Sequence, residues 1–133
     1  MKTTTKQNHA LQNAIGHIES MVEDFKKDQQ LQESKDYNQQ DELRESVLNS
    51  ALSVEFRSGW YSSPEDEKKA EEFRILLTWG GPALRIIGEL DNYGPVNPKL
   101  QFQDWGTPWT DFEITEDQQD ALNWFCNCFY FGG

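Results

Sequence analysis

The chain lacks any apolar run approaching the roughly 20 residues needed to span a bilayer. Its first residues, MKTTTKQNH, have no apolar stretch of the signal-peptide kind. Cysteine is nearly absent. Cys126 and Cys128 stand two apart, an awkward spacing for a disulfide within regular structure, so a reduced, cytoplasmic compartment is expected. Histidine is as scarce: His9 and His17 sit about 80° apart around a helix axis at 3.6 residues per turn. No cysteine or carboxylate completes a zinc set with them. Neither metal nor cofactor is expected. Positive charge is also short, with 12 Lys and Arg against 23 Asp and Glu and a net charge of −11. That balance argues against direct contact with nucleic-acid phosphates, which takes clustered cations, and against anionic membranes. It fits a solubilising surface, or one addressed to a basic partner groove.

Catalytic signatures are missing too. No nucleophile-elbow pattern accompanies the two histidines. Gly80-Gly81-Pro82 joins two predicted strands, opens no helix and carries no GKS or GKT, so it is not a phosphate loop. Cys126-Asn127-Cys128 has no neighbouring Lys or Arg to activate a thiol. Among 23 acidic residues, chance pairs such as Glu89 with Asp104 say little about acid–base chemistry. The expectation is a non-enzymatic protein.

Against these shortages stands a surplus of large rings: aromatics make up 13% of a chain that is only 36% hydrophobic. The 133 residues suffice for one domain with one core. Leu11, Ala14, Ile15, Ile18, Met21, Val22 and Phe25 recur at steps of three and four and predict an amphipathic helix from His9 to about Lys27. Residues 26–42 are very polar and either prolong that helix or form a linker, drawn at 28–42; a second helix follows at about 40–50 with Leu43, Val47 and Leu48 on one side. The period then changes to two. LSVEFRSGWY (52–61), EFRILLTWG (72–80), ALRIIGELD (83–91) and KLQFQDW (99–105) read as four antiparallel strands, with NYGPVNP a loop. Thr115 and Gln118 form a capping-box pattern that starts a last helix, turning Ala121, Leu122, Phe125 and Cys126 inward; the closing FYFGG ends it. The fold class predicted is α+β: N-terminal helices, a four-stranded antiparallel meander and a C-terminal helix on one sheet face, within one domain.

The acidity is uneven. From Ile86 to Gly133 only Lys99 is positive, against Glu89, Asp91, Asp104, Asp111, Glu113, Glu116, Asp117 and Asp120. This is also the ring-rich part, centred on QDWGTPWTDF at 103–112. Trp60, Trp79 and Trp105 end predicted strands and are expected to close one end of the core, while Trp109, between elements, is the candidate exposed anchor. The candidate partner-binding set is therefore Asp91, Asp104, Trp109, Asp111, Glu113, Glu116 and Asp117. Carboxylates there would pair with partner arginines that stack on the rings.

The blocks ALSVEFRSGWYSS, FRILLTWGGPALRIIGELD, QDWGTPWTDF and the closing FYFG, with the first helix LQNAIGHIESMVEDF, resemble a family of small, mostly uncharacterised proteins encoded by phages, plasmids and neighbouring bacterial genomes. The resemblance brings no catalytic residues. It implies a mobile-element setting in the bacterial cytoplasm, where small acidic proteins inhibit host defence of the CRISPR or restriction type, some by setting carboxylates where DNA phosphates would lie. The expected partner is a host nucleic-acid-binding defence protein or complex, without direct contact to nucleic acid or membrane. Two other readings remain: a structural or regulatory homodimer paired through the first helix, and a hydrolase built on an unrecognised carboxylate pair.

Overall fold

The computed structural model describes residues 5–58, 70–79, 82–91, 94–104 and 106–129, with backbone alone for residues 5–8 and 70. Helix α1 spans Thr5–Glu33 and α2 Tyr37–Ser50. Ala10, Ala14, Ile18 and Met21, spaced by three and four, form the buried stripe of α1. The helix continues six residues past the expected Lys27 because its polar end is clasped by α2. Asp28, only 5% exposed, receives the Arg44 guanidinium in two bonds of 2.9 and 3.1 Å. Buried Gln40 donates to the Asp28 carbonyl and to Gln32 Oε1. A polar sequence thus makes a polar interface rather than a linker. The reversal between the helices uses Lys35 at φ +59°, the left-handed position after a helix that glycine commonly fills. Asp36 then caps α2 by accepting from Gln39 N. On α2, Val47 enters the core whereas Leu48 stays exposed.

Among the described residues five strands follow: β1 Ser53–Ser58, β2 Ala70–Thr78, β3 Ala83–Asp91, β4 Gly94–Gln103 and β5 Thr110–Asp111. They pair in sequence order, each antiparallel to the next. Within the described residues the first three fall where they were expected, with β2 beginning two residues earlier and residues 59–61 of the expected first strand lying outside the described residues. β4 starts five residues earlier than expected, because Pro95 and Val96 pair with Leu90 and Glu89 across the hairpin despite two prolines in the run. The register shifts between Ile87 and Glu89, opposite Asn97 at φ +51° and Pro98, so the irregular residues sit in a bulge. β5, only two residues long, is too short to leave a period in the sequence.

Register sorts the side chains onto two faces. Val54, Ile75, Ile86 and Leu100 form one inward row. With Phe73, Leu77 and Leu84 they meet Ala14, Ile18 and Met21 of α1. Helix α3, Glu116–Asn127, closes the core with Ala121, Leu122, Phe125 and Cys126, all buried as its period required. Helices and an antiparallel sheet thus form an α+β fold with α1 and α3 against one sheet face. At the edge, β1 is less covered than its alternation suggests: Leu52 and Phe56 are exposed. Among the described residues, no helix is long and apolar enough to cross a membrane.

Among the described residues, no helix packs on the opposite sheet face. Its rows read Glu55, Arg74, Ile87, Lys99, then Ser53, Leu76, Arg85, Gln101, Asp111, then Arg57, Glu72, Glu89.

Candidate functional site

The chain after β4 builds the acidic surface. The Asp104 carbonyl accepts from Thr107 N at 3.1 Å and from Thr107 Oγ1 at 2.9 Å, closing a tight turn. Gly106 stands at its third position with φ +78°, where an L side chain would be strained. Gln103 Nε2 donates to the Thr107 carbonyl. This turn brings Trp109 back beside the sheet and sets Thr110 and Asp111 against Phe102 and Gln101 as β5. The chain then enters α3 through a completed capping box: Thr115 Oγ1 accepts from Gln118 N at 3.3 Å and Gln118 Oε1 accepts from Thr115 N at 3.0 Å.

This route separates the seven candidate residues. Asp111, Glu113, Glu116 and Asp117 are all exposed within seven residues, and exposed Asp120 extends the series along the outer side of α3. Among the described residues, no Lys or Arg forms an ion pair with any of these five. Asp111 accepts from Gln101 Nε2 at 2.7 Å. Glu116 and Asp117 also favour the positive end of the helix dipole, which gives them a local structural role. Asp91 is exposed but stands at the far end of β3, six residues from the Arg85 row that reaches Asp111; at about 3.4 Å per residue the two lie roughly 20 Å apart. Asp104 is only 5% exposed, held in the turn, and so is not presented to a partner as the sequence reading supposed.

Trp109 is half-buried rather than a free anchor. The Arg85 guanidinium carbon lies 4.0 Å from its ring centroid, a cation–π stack within the chain. The stacking arginine expected from a partner is thus supplied by β3. Trp79 departs further from expectation. It is 69% exposed beyond β2 and closes no part of the core. Trp60, Tyr61, Tyr93, Trp105, Tyr130 and Phe131 lie outside the described residues, as does the Gly80-Gly81 bend.

The groups weighed for chemistry are quiet. Burial pushes the Cys128 thiol up to about 11 against the pull of Arg44, and burial raises Cys126 further, so both resist ionising. His17 is held below its usual value by burial. It lines a small cleft of about 180 Å³ between α1 and α2 with Asp24, Ser46 and Ser50, but both serines donate back to their own helix carbonyls. Among the described residues, no group of three or more His, Cys, Asp or Glu could hold a metal ion.

The sheet face away from the helices carries a second set of charged side chains that the overall acidity conceals. There Arg57, Arg74, Arg85 and Lys99 line a groove of about 530 Å³ with Glu55, Glu72, Glu89, Ile87 and Asn97. Burial, then the neighbouring charge of Arg74, holds the Arg85 guanidinium below the ordinary arginine value. Strand alternation could have shown these four cations on one face; the overall acidity hid them. No family model, curated protein or solved structure matches the chain.

Proposed function

We propose that the chain is a non-enzymatic binding protein that occupies the basic groove of a nucleic-acid-binding partner, with its carboxylates standing where phosphates would. One observation carries this reading: Asp111, Glu113, Glu116, Asp117 and Asp120 are each exposed along the run from β5 into α3, and no cation among the described residues forms an ion pair with them. Carboxylates so disposed keep their full attraction for an incoming arginine. The resemblance to phage and plasmid proteins adds the setting, a host defence complex in the bacterial cytoplasm. Asp104 drops out of the contact set because it is buried, and Trp109 contributes the edge of a ring already stacked on Arg85. The apolar stripe that a homodimer through α1 would use is spent on the chain's own core, which lowers that reading.

The test is inhibition of DNA binding by a purified host surveillance complex or restriction enzyme. The expected outcome is inhibition that weakens at least about tenfold between low and physiological salt. The Asp111→Lys, Glu113→Lys, Asp120→Lys variant should lose inhibition while keeping its thermal transition. Equal potency at both salts, or full potency in the folded triple variant, refutes the mimicry.

A further inference from the structure

The cations of the sheet half are concentrated on one surface. From Ala51 onward the chain has six: Arg57, Lys68, Lys69, Arg74, Arg85 and Lys99. Lys68 and Lys69 lie outside the described residues; the other four all line the groove on the sheet face away from the helices. Arg57 and Arg74 meet carboxylates across the strand, Glu72 at 2.7 Å and Glu55 at 2.6 Å. A merely solvated sheet face would continue that pattern. It does not. Among the described residues neither Arg85 nor Lys99 forms an ion pair. Ile87 pairs with Arg74 on one side and Lys99 on the other, and Arg85 is two residues before it. Arg74 and Lys99 thus flank one apolar side chain directly across the strands, at about 5 Å between Cβ atoms, and Arg85 stands about 7 Å along the same strand. Arg85 is moreover preorganised. Its Nε donates to Gln101 Oε1 at 2.9 Å and its guanidinium carbon lies 4.0 Å over the Trp109 ring, so holding an anion would cost it little further ordering.

We propose that this groove binds a small soluble organic phosphate carrying two or more negative charges, its phosphate held by Arg85, Lys99 and Arg74 and its apolar part over Ile87. The groove, about 530 Å³, has the size of a small-ligand site. Its charged lining, four cations against Glu55, Glu72 and Glu89, is locally positive on a chain of net charge −11. A long polyanion would run beyond the groove toward exposed carboxylates such as Asp111. A small one stays within a Debye length, about 10 Å, of the cations. This site adjoins the acidic surface through Gln101, which bonds both Arg85 and Asp111, but it does not rest on the proposed function.

The experiment is calorimetric titration of the full chain at low ionic strength with pyrophosphate and with adenosine diphosphate, adenosine being the neutral control. Amide shifts measured by nuclear magnetic resonance locate the site. Both anions should bind and adenosine should not, with shifts centred on β3 and β4. Arg85→Gln and Lys99→Gln should each weaken binding about tenfold, and Lys27→Gln, on α1, should leave it unchanged. Lys99 is exposed, so its variant remains a fair test if losing the Trp109 stack unfolds the Arg85 variant. The proposal is overturned if neither anion binds, if Lys99→Gln binds as tightly as the native chain, or if the shifts follow lysines over the whole surface. It is equally overturned if the groove proves covered by a second copy, seen as a doubled mass in light scattering that Lys99→Glu abolishes.

Discussion

Gly88 shows how much one residue of the sheet is constrained by its neighbour across the strand. Its backbone needs no left-handed conformation; what it provides is room. A methyl group there would meet Phe73 Cε1 at 2.6 Å and Cζ at 2.7 Å, with the Pro98 backbone 3.2 Å away on the other side. Phe73 is buried and anchors β2 in the core, so it has little freedom to retreat. Gly88→Ala should therefore destabilise the fold by about 1–3 kcal/mol, as overpacking of a filled core does. Adding Phe73→Leu should recover part of that loss, a coupling that urea unfolding of the single and double variants would measure. A Gly88→Ala protein as stable as the native one would mean the ring turns aside freely. In the string ALRIIGELD the glycine looks only like a weak strand residue. Which ring it accommodates depends on pairing register, a relation between residues fifteen apart. Asp104 is the same lesson in the candidate site. Its charge was legible, its burial was not, because the Thr107 bonds that tuck it away are set by a turn rather than by a period.

At the scale of elements, what could be read was what repeats or what is local. The α1 stripe repeats at helical spacing, and β3 is a single run rich in strand-forming residues between turn signals. The start of α3 is local: Thr115 and Gln118 exchange both bonds of a capping box. Replacing Thr115 by Ala removes the acceptor for Gln118 N, which should lower stability by about 1 kcal/mol. Because α3 packs on both α1 and β4, the loss should appear in the global thermal transition followed by circular dichroism. Thr115→Ser should restore most of it. If Thr115→Ala melts with the native protein, water replaces the cap at no cost. The elements misjudged were settled by contacts distant in sequence. The end of α1 depends on Arg44 sixteen residues after Asp28, and the start of β4 on its pairing with β3 across two prolines. The cations of the sheet face away from the helices were legible in principle, since strand alternation assigns Arg74, Arg85 and Lys99 to one side once the register is known.

For the molecule as a whole, charge acts on folding and on binding with opposite responses to salt. Twenty-three carboxylates against twelve cations repel one another more strongly in the compact state than in the expanded chain. Three ion pairs among the described residues relieve little of this, two of them exposed, where such pairs contribute little. Screening by salt should therefore stabilise the fold. Raising sodium chloride from about 10 mM to about 0.2 M shortens the Debye length from about 30 Å to below 10 Å. The melting temperature should rise by several degrees over that range. Under the proposed function the same salt weakens the complex with a basic partner, so affinity and stability should move in opposite directions. That contrast separates loss of binding by screening from loss by loosening of the fold. Scanning calorimetry at the two salt concentrations decides it. A melting temperature that falls with salt would mean that local attractions outweigh the net repulsion, and the acidic surface would then be balanced within the chain rather than held for a partner.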